Sequence, residues 1–305
     1  MPRIKGLLQT LPVLLIAVHV FCACPAFGES EITGVFVSSK IRPYIEALEG
    51  FKNTTESELL VVYLDENLEL AKHYLKKGDL KAAVAIGPEA ARLIFSKDFL
   101  IPVKMAIMTL DLKKLLPNTD PCGIDLRVPI SFQISQISKR LGTGKNLAIL
   151  YNPAENADII QQASKACQNT GLSFIPLGVS GSDQIMKRLK PEMNRIDILL
   201  FIPDSTVISE KIVRHLTKSA ILHGIAVVGY NHFFFETGAL MAFTIDYKNV
   251  GKEGAKLLER FLHEEPCTLL PPPVKIEWNS KVFEILKAKD PDRWTHIPGG
   301  QADGI

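Results

Sequence analysis

The chain has 305 residues, of which 47% are hydrophobic and 22% charged, a composition typical of folded globular proteins. Its 35 basic residues nearly balance its 33 acidic ones, and no segment carries the basic stripe that binding along DNA or RNA requires. We therefore exclude bulk disorder and expect no nucleic acid as a partner. The length exceeds what one hydrophobic core usually organises, which predicts two lobes.

The first 28 residues have the pattern of an export signal. Two basic residues near the start are followed by no charged side chain until Glu29. The apolar run between them contains Pro12, is shorter than the roughly 20 residues of a membrane span, and ends in a small-x-small sequence at residues 26–28. We predict a signal peptide over residues 1–28 and an exported, periplasmic protein. An uncleaved membrane anchor, or tethering through a lipid on Cys24, remains as an alternative.

Cysteine usage favours neither a metal cluster nor a disulfide framework. The part of the chain after the leader contains Cys122, Cys167 and Cys267, an odd and widely spaced set without a CxxC pair. At most one bridge can form within such a set, and buried free thiols are the expectation. No metal site and no cofactor are predicted.

From residue 31 onward, short apolar β-branched runs alternate with amphipathic segments. In the first half, strands are predicted at residues 32–37, 59–64, 82–86 and 103–108. A second series begins with a helix that carries Ile130, Ile134 and Ile137 on one face. It continues with strands at residues 147–151, 172–177, 196–202 and 225–229 and a helix over 207–222. Strand–helix alternation with strands apolar on both faces predicts an α/β protein with two doubly wound parallel sheets.

A trailing unit follows the second series, with a strand at 240–245, a helix at 247–263 and a strand at 274–278. It is too small for a domain, so we expect it to cross between the lobes. The predicted first lobe comprises residues 29–127 completed by 244–266, and the second comprises 128–243 completed by 267–289. Residues 290–305, rich in Pro, Gly and charge, are predicted to form a flexible tail.

A ligand of parallel sheets lies beyond the carboxyl ends of the strands, where loop amides and helix N-termini converge. The residues at these predicted ends are mostly small, hydroxyl, amide or aromatic, which suits hydrogen-bonded capture of a small solute. No pair of nucleophile and base stands there, so we predict no enzyme. The sequence Gly-Thr-Gly-Lys at 142–145 lacks the spacing of a phosphate-binding loop and is interpreted as a turn.

Each of these positions also has a structural interpretation. Ser38 and the segment 204–206 suit helix caps as well as ligand contacts. Asn152 precedes a helix predicted to start at Pro153, which leaves its side chain free to face a cleft. Tyr151 and Tyr230 suit either rim packing or a platform for a ligand.

Four segments carry a likeness to a known family: 150–155 (LYNPAE), 179–183 (VSGSD), 201–207 (FIPDSTV) and 238–247 (GALMAFTIDY). In order and spacing they resemble the ABC transporter substrate-binding protein family, whose characterised members include tryptophan- and tyrosine-binding lipoproteins. The resemblance implies the type I periplasmic-binding-protein fold, in which two lobes joined by three crossovers hold a ligand between them. We expect the protein to be a monomer without cofactors. The ligand-binding positions that it implies are Ser38, Ser39, Gly87, Tyr151, Asn152, Asp204, Ser205, Thr206, Tyr230 and Asn231.

The function predicted from this resemblance is non-enzymatic capture of a small organic solute and its delivery to an ABC permease in the membrane. Helix N-termini for a carboxylate, Asp204 for a cation and tyrosine rings favour an amino acid with an aromatic or flat portion. An extracytoplasmic ligand-sensing partner of a membrane receptor or kinase is the alternative. Residues 106–111 depart from the Phe-Ala and Asp-Pro signature of the family, which leaves the ligand itself undetermined.

Overall fold

The computed structural model describes residues 32–263 and 265–294, and the predicted leader with Cys24 lies outside them. The first lobe contains a six-stranded, all-parallel sheet in the order β11-β5-β4-β3-β1-β2. Its strands are β1 (Ile32–Val37), β2 (Glu58–Tyr63), β3 (Ala82–Ile86), β4 (Val103–Thr109), β5 (Gly123–Asp125) and β11 (Leu269–Leu270).

The second lobe contains another six-stranded sheet, in the order β12-β10-β9-β8-β6-β7. It is parallel except for its last strand, which runs antiparallel to its neighbour at the edge of the sheet. Its strands are β6 (Asn146–Tyr151), β7 (Ser173–Gly178), β8 (Ile198–Leu200), β9 (Ala226–Gly229), β10 (Met241–Ile245) and β12 (Val274–Trp278). The predicted pair of parallel α/β lobes is confirmed.

Helices cover both faces of each sheet. In the first lobe they are α1 (Arg42–Lys52), α2 (Leu64–Lys77), α3 (Pro88–Ile94), α4 (Leu112–Leu115) and α10 (Tyr247–Leu262). In the second lobe they are α5 (Ile130–Leu141), α6 (Pro153–Thr170), α7 (Ile185–Leu189), α8 (Glu210–Leu222), α9 (His232–Glu236), α11 (Ser280–Lys289) and α12 (Pro291–Trp294). No helix in the described part of the chain is long and apolar enough to span a membrane.

Each sheet therefore separates two hydrophobic cores. Successive strand residues point to opposite faces, so Val35 and Val37 of β1 enter one core while Phe36 enters the other. In β6, Leu147 and Ala148 divide in the same way between the two cores of the second lobe. This explains why the strand runs are apolar throughout rather than alternating.

The chain crosses between the lobes three times: through residues 126–129, between β10 and α10, and through residues 271–273. Two of these crossings lie later than predicted. All of β10 belongs to the second sheet, and β11, in the stretch assigned to the second lobe, pairs with β5 of the first. Helix α10 packs against α1 and so belongs to the first lobe.

Cys122 and Cys267 form a disulfide, with Cα atoms 5.5 Å apart. The expectation of free thiols is wrong for these two residues, although Cys167 is a buried free cysteine. Parallel pairing of β11 with β5 places the residues before the two strands side by side, although 145 positions separate the cysteines along the chain. This proximity depends on a two-residue strand that the sequence pattern did not reveal.

The prediction of a flexible tail from residue 290 does not hold for the part that the structure describes. Residues 291–294 form α12, and Trp294 is completely buried in the core of the second lobe. Its indole Nε1 donates to the carbonyl of Gly224 at 3.2 Å, and Lys145 Nζ lies 4.7 Å from the centre of the ring. Residues 295–305 lie outside the described part of the chain.

Candidate functional site

A cavity of about 330 Å³ lies between the two lobes, beside the crossovers. Its size lies within the range of small-molecule sites. Leu110, Asp111 and Leu126 line it from the first lobe, Gln133, Ile159 and Tyr230 line it from the second, and Ile245 and Tyr247 flank the second crossing. Its walls thus combine aliphatic surface with a few polar groups, and a molecule inside it would touch both lobes.

One carboxylate holds the backbone of two cavity-lining residues near the first crossing. Asp125 accepts hydrogen bonds from the backbone N–H groups of Asp111 at 2.9 Å, of Leu112 at 2.7 Å and of Arg127 at 2.7 Å. Arg127 Nη2 in turn donates to Asp111 Oδ2 at 2.9 Å. These bonds fix the end of β4 and the start of the crossing relative to each other.

The backbone at the end of β4 adopts an unusual conformation. Met108 and Asp111 both have φ of 60°, in the left-handed region that non-glycine residues rarely occupy. The pairing of β4 with β5 shifts register between Ala106 and Thr109. Bulges and left-handed residues of this kind cluster at ligand sites, where the surrounding structure holds them. The segment 106–111, where the sequence departs from the family pattern, is therefore also irregular in structure.

Two polar atoms of cavity-lining residues are buried without a hydrogen-bond partner among the described residues. They are Nε of Arg127 and Oε1 of Gln133. Gln133 is only 3% exposed, and its Nε2 donates to the carbonyl of Val128 at 3.0 Å. Buried polar groups are normally hydrogen-bonded, so these two atoms are exceptions, and both are closed off from the space of the cavity.

Asp204, predicted to meet a ligand cation, is 3% exposed and is surrounded by donors from the protein itself. Its Oδ2 accepts from the Asn152 backbone N–H at 2.6 Å and from Asn156 Nδ2 at 2.8 Å. Its Oδ1 accepts from the backbone N–H groups of Thr206 at 3.0 Å and Val207 at 3.2 Å. Asp204 therefore ties β6, α6 and the loop after β8 together, which agrees with the structural interpretation.

The side chain of Asn152 is not free, contrary to the expectation. Its Oδ1 caps α6 by accepting from the Ala154 N–H at 3.0 Å, and its Nδ2 donates to Thr206 Oγ1 at 2.9 Å. Ser205 is exposed, and its Oγ donates to Glu155 Oε1 at 2.7 Å. The structure brings these predicted residues together as a network at one end of the second sheet, outside the lining of the cavity.

Tyr230 and Asn231 are the two predicted positions that line the cavity. The ring of Tyr230 lies 5.0 Å from that of Phe234, and burial raises the pKa of its hydroxyl to about 12. Asn231 precedes α9, and its Oδ1 accepts weakly from the Phe234 N–H at 3.4 Å. Tyr151, by contrast, is half-buried against the core of the second lobe.

Ser38, Ser39 and Gly87 lie at strand ends of the first lobe and outside the cavity lining. Ser38 is 6% exposed, and its Oγ accepts from the Ala90 N–H in the first turn of α3 at 3.0 Å. Gly87 has φ of 98°, and a Cβ there would lie 2.6 Å from Ser38 Oγ. Gly87 is therefore required for backbone geometry and packing, while Ser39 is half-buried.

Sequence reasoning missed the cavity residues Arg127, Gln133, Asp158 and Tyr247 because they lie on crossovers and helix faces rather than at strand ends. It also missed Asp111, which follows the end of β4. One of these residues, Gln133, could have been identified from the sequence pattern. Gln133 is a polar residue within the apolar face of α5, beside Ile130 and Ile134. Elsewhere in the described residues, no group of three or more His, Cys, Asp or Glu is arranged to hold a metal ion.

Comparison with known proteins places these features in a family. Residues 64–283 match the family model described as ABC transporter substrate binding protein. No curated protein matches the chain.

Solved structures share the fold at low sequence identity. The ligand-free, open structure of a substrate binding protein with adhesive properties from Clostridium difficile has a TM-score of 0.65 at 16% identity, over 84% of this chain and 94% of that one. An ABC domain in complex with L-Trp from Streptococcus pneumonia has a TM-score of 0.53 at 15% identity, over the same shares of 84% and 94%. A periplasmic ribose ABC transporter protein from Conexibacter woesei has a TM-score of 0.55 at 11% identity, over 88% of this chain and 98% of that one.

These neighbours establish the type I periplasmic-binding-protein fold, as the resemblance implied. The family model covers well over half of the chain, including the first crossing, both faces of the cavity and most of the second lobe. The protein therefore belongs to the ABC transporter substrate-binding protein family.

Proposed function

We propose that the protein captures a small organic solute, of the class of aromatic amino acids, between its two lobes and delivers it to a membrane permease. The observation that carries this proposal is the cavity of about 330 Å³ lined from both lobes beside the crossovers. A solute that touches both lobes binds the closed arrangement better than the open one, and so shifts the population toward it. No chemical step is part of the proposal, in keeping with a family of substrate-binding proteins.

The lining of the cavity supports the solute class. Tyr230 and Tyr247 offer aromatic faces and hydroxyls, while Ile159 and Leu126 offer aliphatic surface. Arg127 suits an anionic group and Asp158 suits a cationic one. An amino acid with a flat side chain carries a partner for each, and the related Streptococcus protein was solved with L-Trp.

Action outside the cytoplasm is part of the same proposal, because substrate-binding proteins of this family are extracytoplasmic. The Cys122–Cys267 disulfide supports it, since disulfides persist in oxidising compartments and are rare in the cytosol. Export by a cleaved leader of residues 1–28 is tested by sequencing the N-terminus of protein recovered from cells. A chain that still begins at Met1 would contradict cleavage.

A thermal-shift screen against the twenty amino acids and other small solutes tests solute capture. A ligand at 100 times its Kd stabilises the native state by about 2.7 kcal/mol, which raises Tm visibly. Leu126→Trp, which adds bulk to the cavity lining, should remove the shift. Leu222→Trp, at a position 60% exposed and outside the lining, is the matched control. No shift from any solute, or a shift that Leu126→Trp leaves intact, would contradict the proposal.

Delivery to a permease is tested by uptake of the radiolabelled solute in cells with and without the protein. Uptake should fall when the protein is absent. Unchanged uptake of a solute that the protein binds would contradict delivery and favour ligand sensing instead.

A further inference from the structure

We infer that Asp158 selects the solute of the interlobe cavity by binding an ammonium group, and that Asn156 is the residue that positions it. The solute class that follows is an amine with an apolar or aromatic body. A compound whose only charge is a carboxylate binds more weakly. The inference rests on the proposed function, because it requires that the cavity binds a solute at all, and it adds the chemical group of the solute that decides affinity.

Asp158 is a carboxylate that a solute in the cavity can reach. It lies on α6, lines the cavity from the second lobe and is exposed. No other described residue donates a hydrogen bond to it or forms an ion pair with it. Asp204, in contrast, already accepts four hydrogen bonds from the protein. The accepting capacity of Asp158 is therefore available to a ligand.

The other charges of the cavity leave Asp158 unneutralised. Arg127 is the one cationic residue that lines the cavity in the described part of the chain, and its Nη2 is paired with Asp111 Oδ2 at 2.9 Å. These two charges cancel, so the lining keeps a formal charge of −1 from Asp158. An unpaired carboxylate at a protein surface attracts a cation more strongly than it would in bulk water.

An ammonium group matches this charge and also supplies the donors that the carboxylate lacks. Hydrogen bonds between an ammonium and a carboxylate are charge-assisted and stronger than those between neutral groups. A solute that carries only a carboxylate meets the same negative charge as a repulsion. The cavity therefore favours solutes with an amine, whatever the identity of their apolar part.

The start of α6 is irregular, and this irregularity positions Asp158. Asn156 lies within the helix but has φ of −129° and ψ of 22°, outside the helical region. It is 3% exposed, and its Nδ2 donates to Asp204 Oδ2 at 2.8 Å and to the carbonyl of Pro203 at 3.4 Å. The irregular turn is thus fastened to the loop after β8. Two residues later Asp158 lines the cavity together with Ile159 and Gln162, at a spacing that places all three on one side of the helix.

Isothermal titration of the purified protein with L-Trp, L-Tyr and L-Phe and with their deaminated analogues, the 3-arylpropionates, tests the role of Asp158. The wild-type protein should bind the tightest of the amino acids at least about 10-fold more tightly than its analogue. Asp158→Asn keeps the shape of the side chain but removes its charge. It should raise the Kd of the amino acid by about 10-fold and should not weaken binding of the analogue. Glu155→Gln, in the same helix, is the matched control and should leave both Kd values unchanged, because the Glu155 carboxylate accepts from Ser205 outside the cavity lining.

Asn156→Ala tests the positioning role with the same two ligands. It should raise the Kd of the amino acid and leave that of the deaminated analogue nearly unchanged, because Asn156 acts through Asp158. Added to Asp158→Asn, it should cause no further loss of affinity for the amino acid. Asn169→Ala, at an exposed position of α6 outside the lining, is the control. An equal change in both Kd values would overturn the positioning role.

An unchanged Kd of the amino acid in Asp158→Asn would overturn the role of Asp158 while leaving the proposed function in place, because the wild-type protein still binds. Equal or tighter binding of the deaminated analogue by the wild-type protein would do the same, and that comparison requires no variant to fold. The absence of binding by all three amino acids and their analogues would overturn the inference and the proposed function together.

Discussion

Asp204 accepts four hydrogen bonds on one buried carboxylate, beyond the carboxyl end of the central strand β8 of the second sheet. Two of the donors belong to the start of α6 and two to the loop after β8, so the residue joins segments about 50 positions apart. Because all four bonds arrive from the protein, the carboxylate has a stabilising role within the lobe.

Asp204→Asn should therefore lower the stability of the protein with little direct effect on solute contacts. The new amide N–H₂ would face donors on one side and would leave two of them unpaired, at about 1–3 kcal/mol for each buried group. Denaturant unfolding measures the loss. Ser205→Ala, next in the chain and exposed, is the control and should stay within about 0.5 kcal/mol. Equal stability of the two variants would contradict the role assigned to Asp204.

Burial of Tyr230 in the cavity wall makes the stability of the folded protein depend on pH. Burial raises its pKa in the folded protein to about 12, above the ordinary value of 10.0. The contribution of the neutral hydroxyl to stability is thus fully present below pH 10.0 and is lost as pH rises toward about 12, because the unfolded chain ionises first.

A pH-jump measurement of tyrosinate absorbance should show one tyrosine ionising near pH 12 in the folded protein. Tyr230→Phe should remove that component and flatten the fall in stability across the same window. Tyr74→Phe is the control. If the Tyr230→Phe protein keeps the late component, another tyrosine is responsible for it.

At the scale of elements, the packing of α1 against α10 anchors the second crossing to the first lobe. The two helices approach closely at two glycines. A Cβ at Gly50 would lie 1.9 Å from the carbonyl oxygen of Lys248, and one at Gly251 would lie 1.8 Å from that of Ala47. Neither helix can yield by a side-chain rotation, since the atoms in the way belong to the backbone.

Gly251→Ala should destabilise the protein, although Ala is the better helix former by about 0.5–1 kcal/mol. Overpacking against a backbone forces the helices apart and typically costs about 1–3 kcal/mol. Gly254→Ala in the same helix is the matched control, because its Cβ would meet side-chain atoms of Ile107 at 3.1 Å and no backbone atom within 4 Å among its nearest neighbours. Thermal unfolding should give a lower Tm for Gly251→Ala than for Gly254→Ala. The reverse order would contradict this account of the helix crossing.

At the scale of the whole molecule, the disulfide joins β5 of the first lobe to β11, the strand of that lobe that comes last along the chain. Cys122 precedes β5 and Cys267 precedes β11, which reaches the first sheet only after the chain has built the second lobe. The bridge therefore fastens the last segment of the first lobe just before the third crossing.

Replacing both Cys122 and Cys267 by Ala should lower stability by about 2–5 kcal/mol, the usual cost of losing a native disulfide. A reducing agent should likewise lower the Tm of the wild-type protein and should leave the Tm of the double variant unchanged. Cys167→Ala, at the buried free thiol, should keep the response to reductant. A wild-type Tm that is insensitive to reductant would contradict a stabilising bridge.

Much of the architecture was predictable because it depends on local pattern. β1 and β3 begin and end where predicted, since a buried strand requires a continuous apolar run that turn residues interrupt. β12 also has the predicted bounds, but as an edge strand in which Val274, Ile276 and Trp278 alternate with charged residues. The short strands β5 and β11 were missed, because two or three residues carry no period and form a strand only when a neighbour supplies hydrogen bonds.

The sequence by itself determined the two doubly wound lobes, the order of their strands along the chain and the family likeness, all of which depend on patterns along the chain. Only the tertiary structure decided which polar residues meet. Asp204 and Asn152 form hydrogen bonds within the protein itself, and Arg127 and Gln133 line the cavity. It also paired Cys122 with Cys267 across 145 positions. The reason is physical: a hydrogen bond or a bridge needs its two atoms within a few ångströms, and the distance between residues remote along the chain is set by how the sheets and crossovers pack.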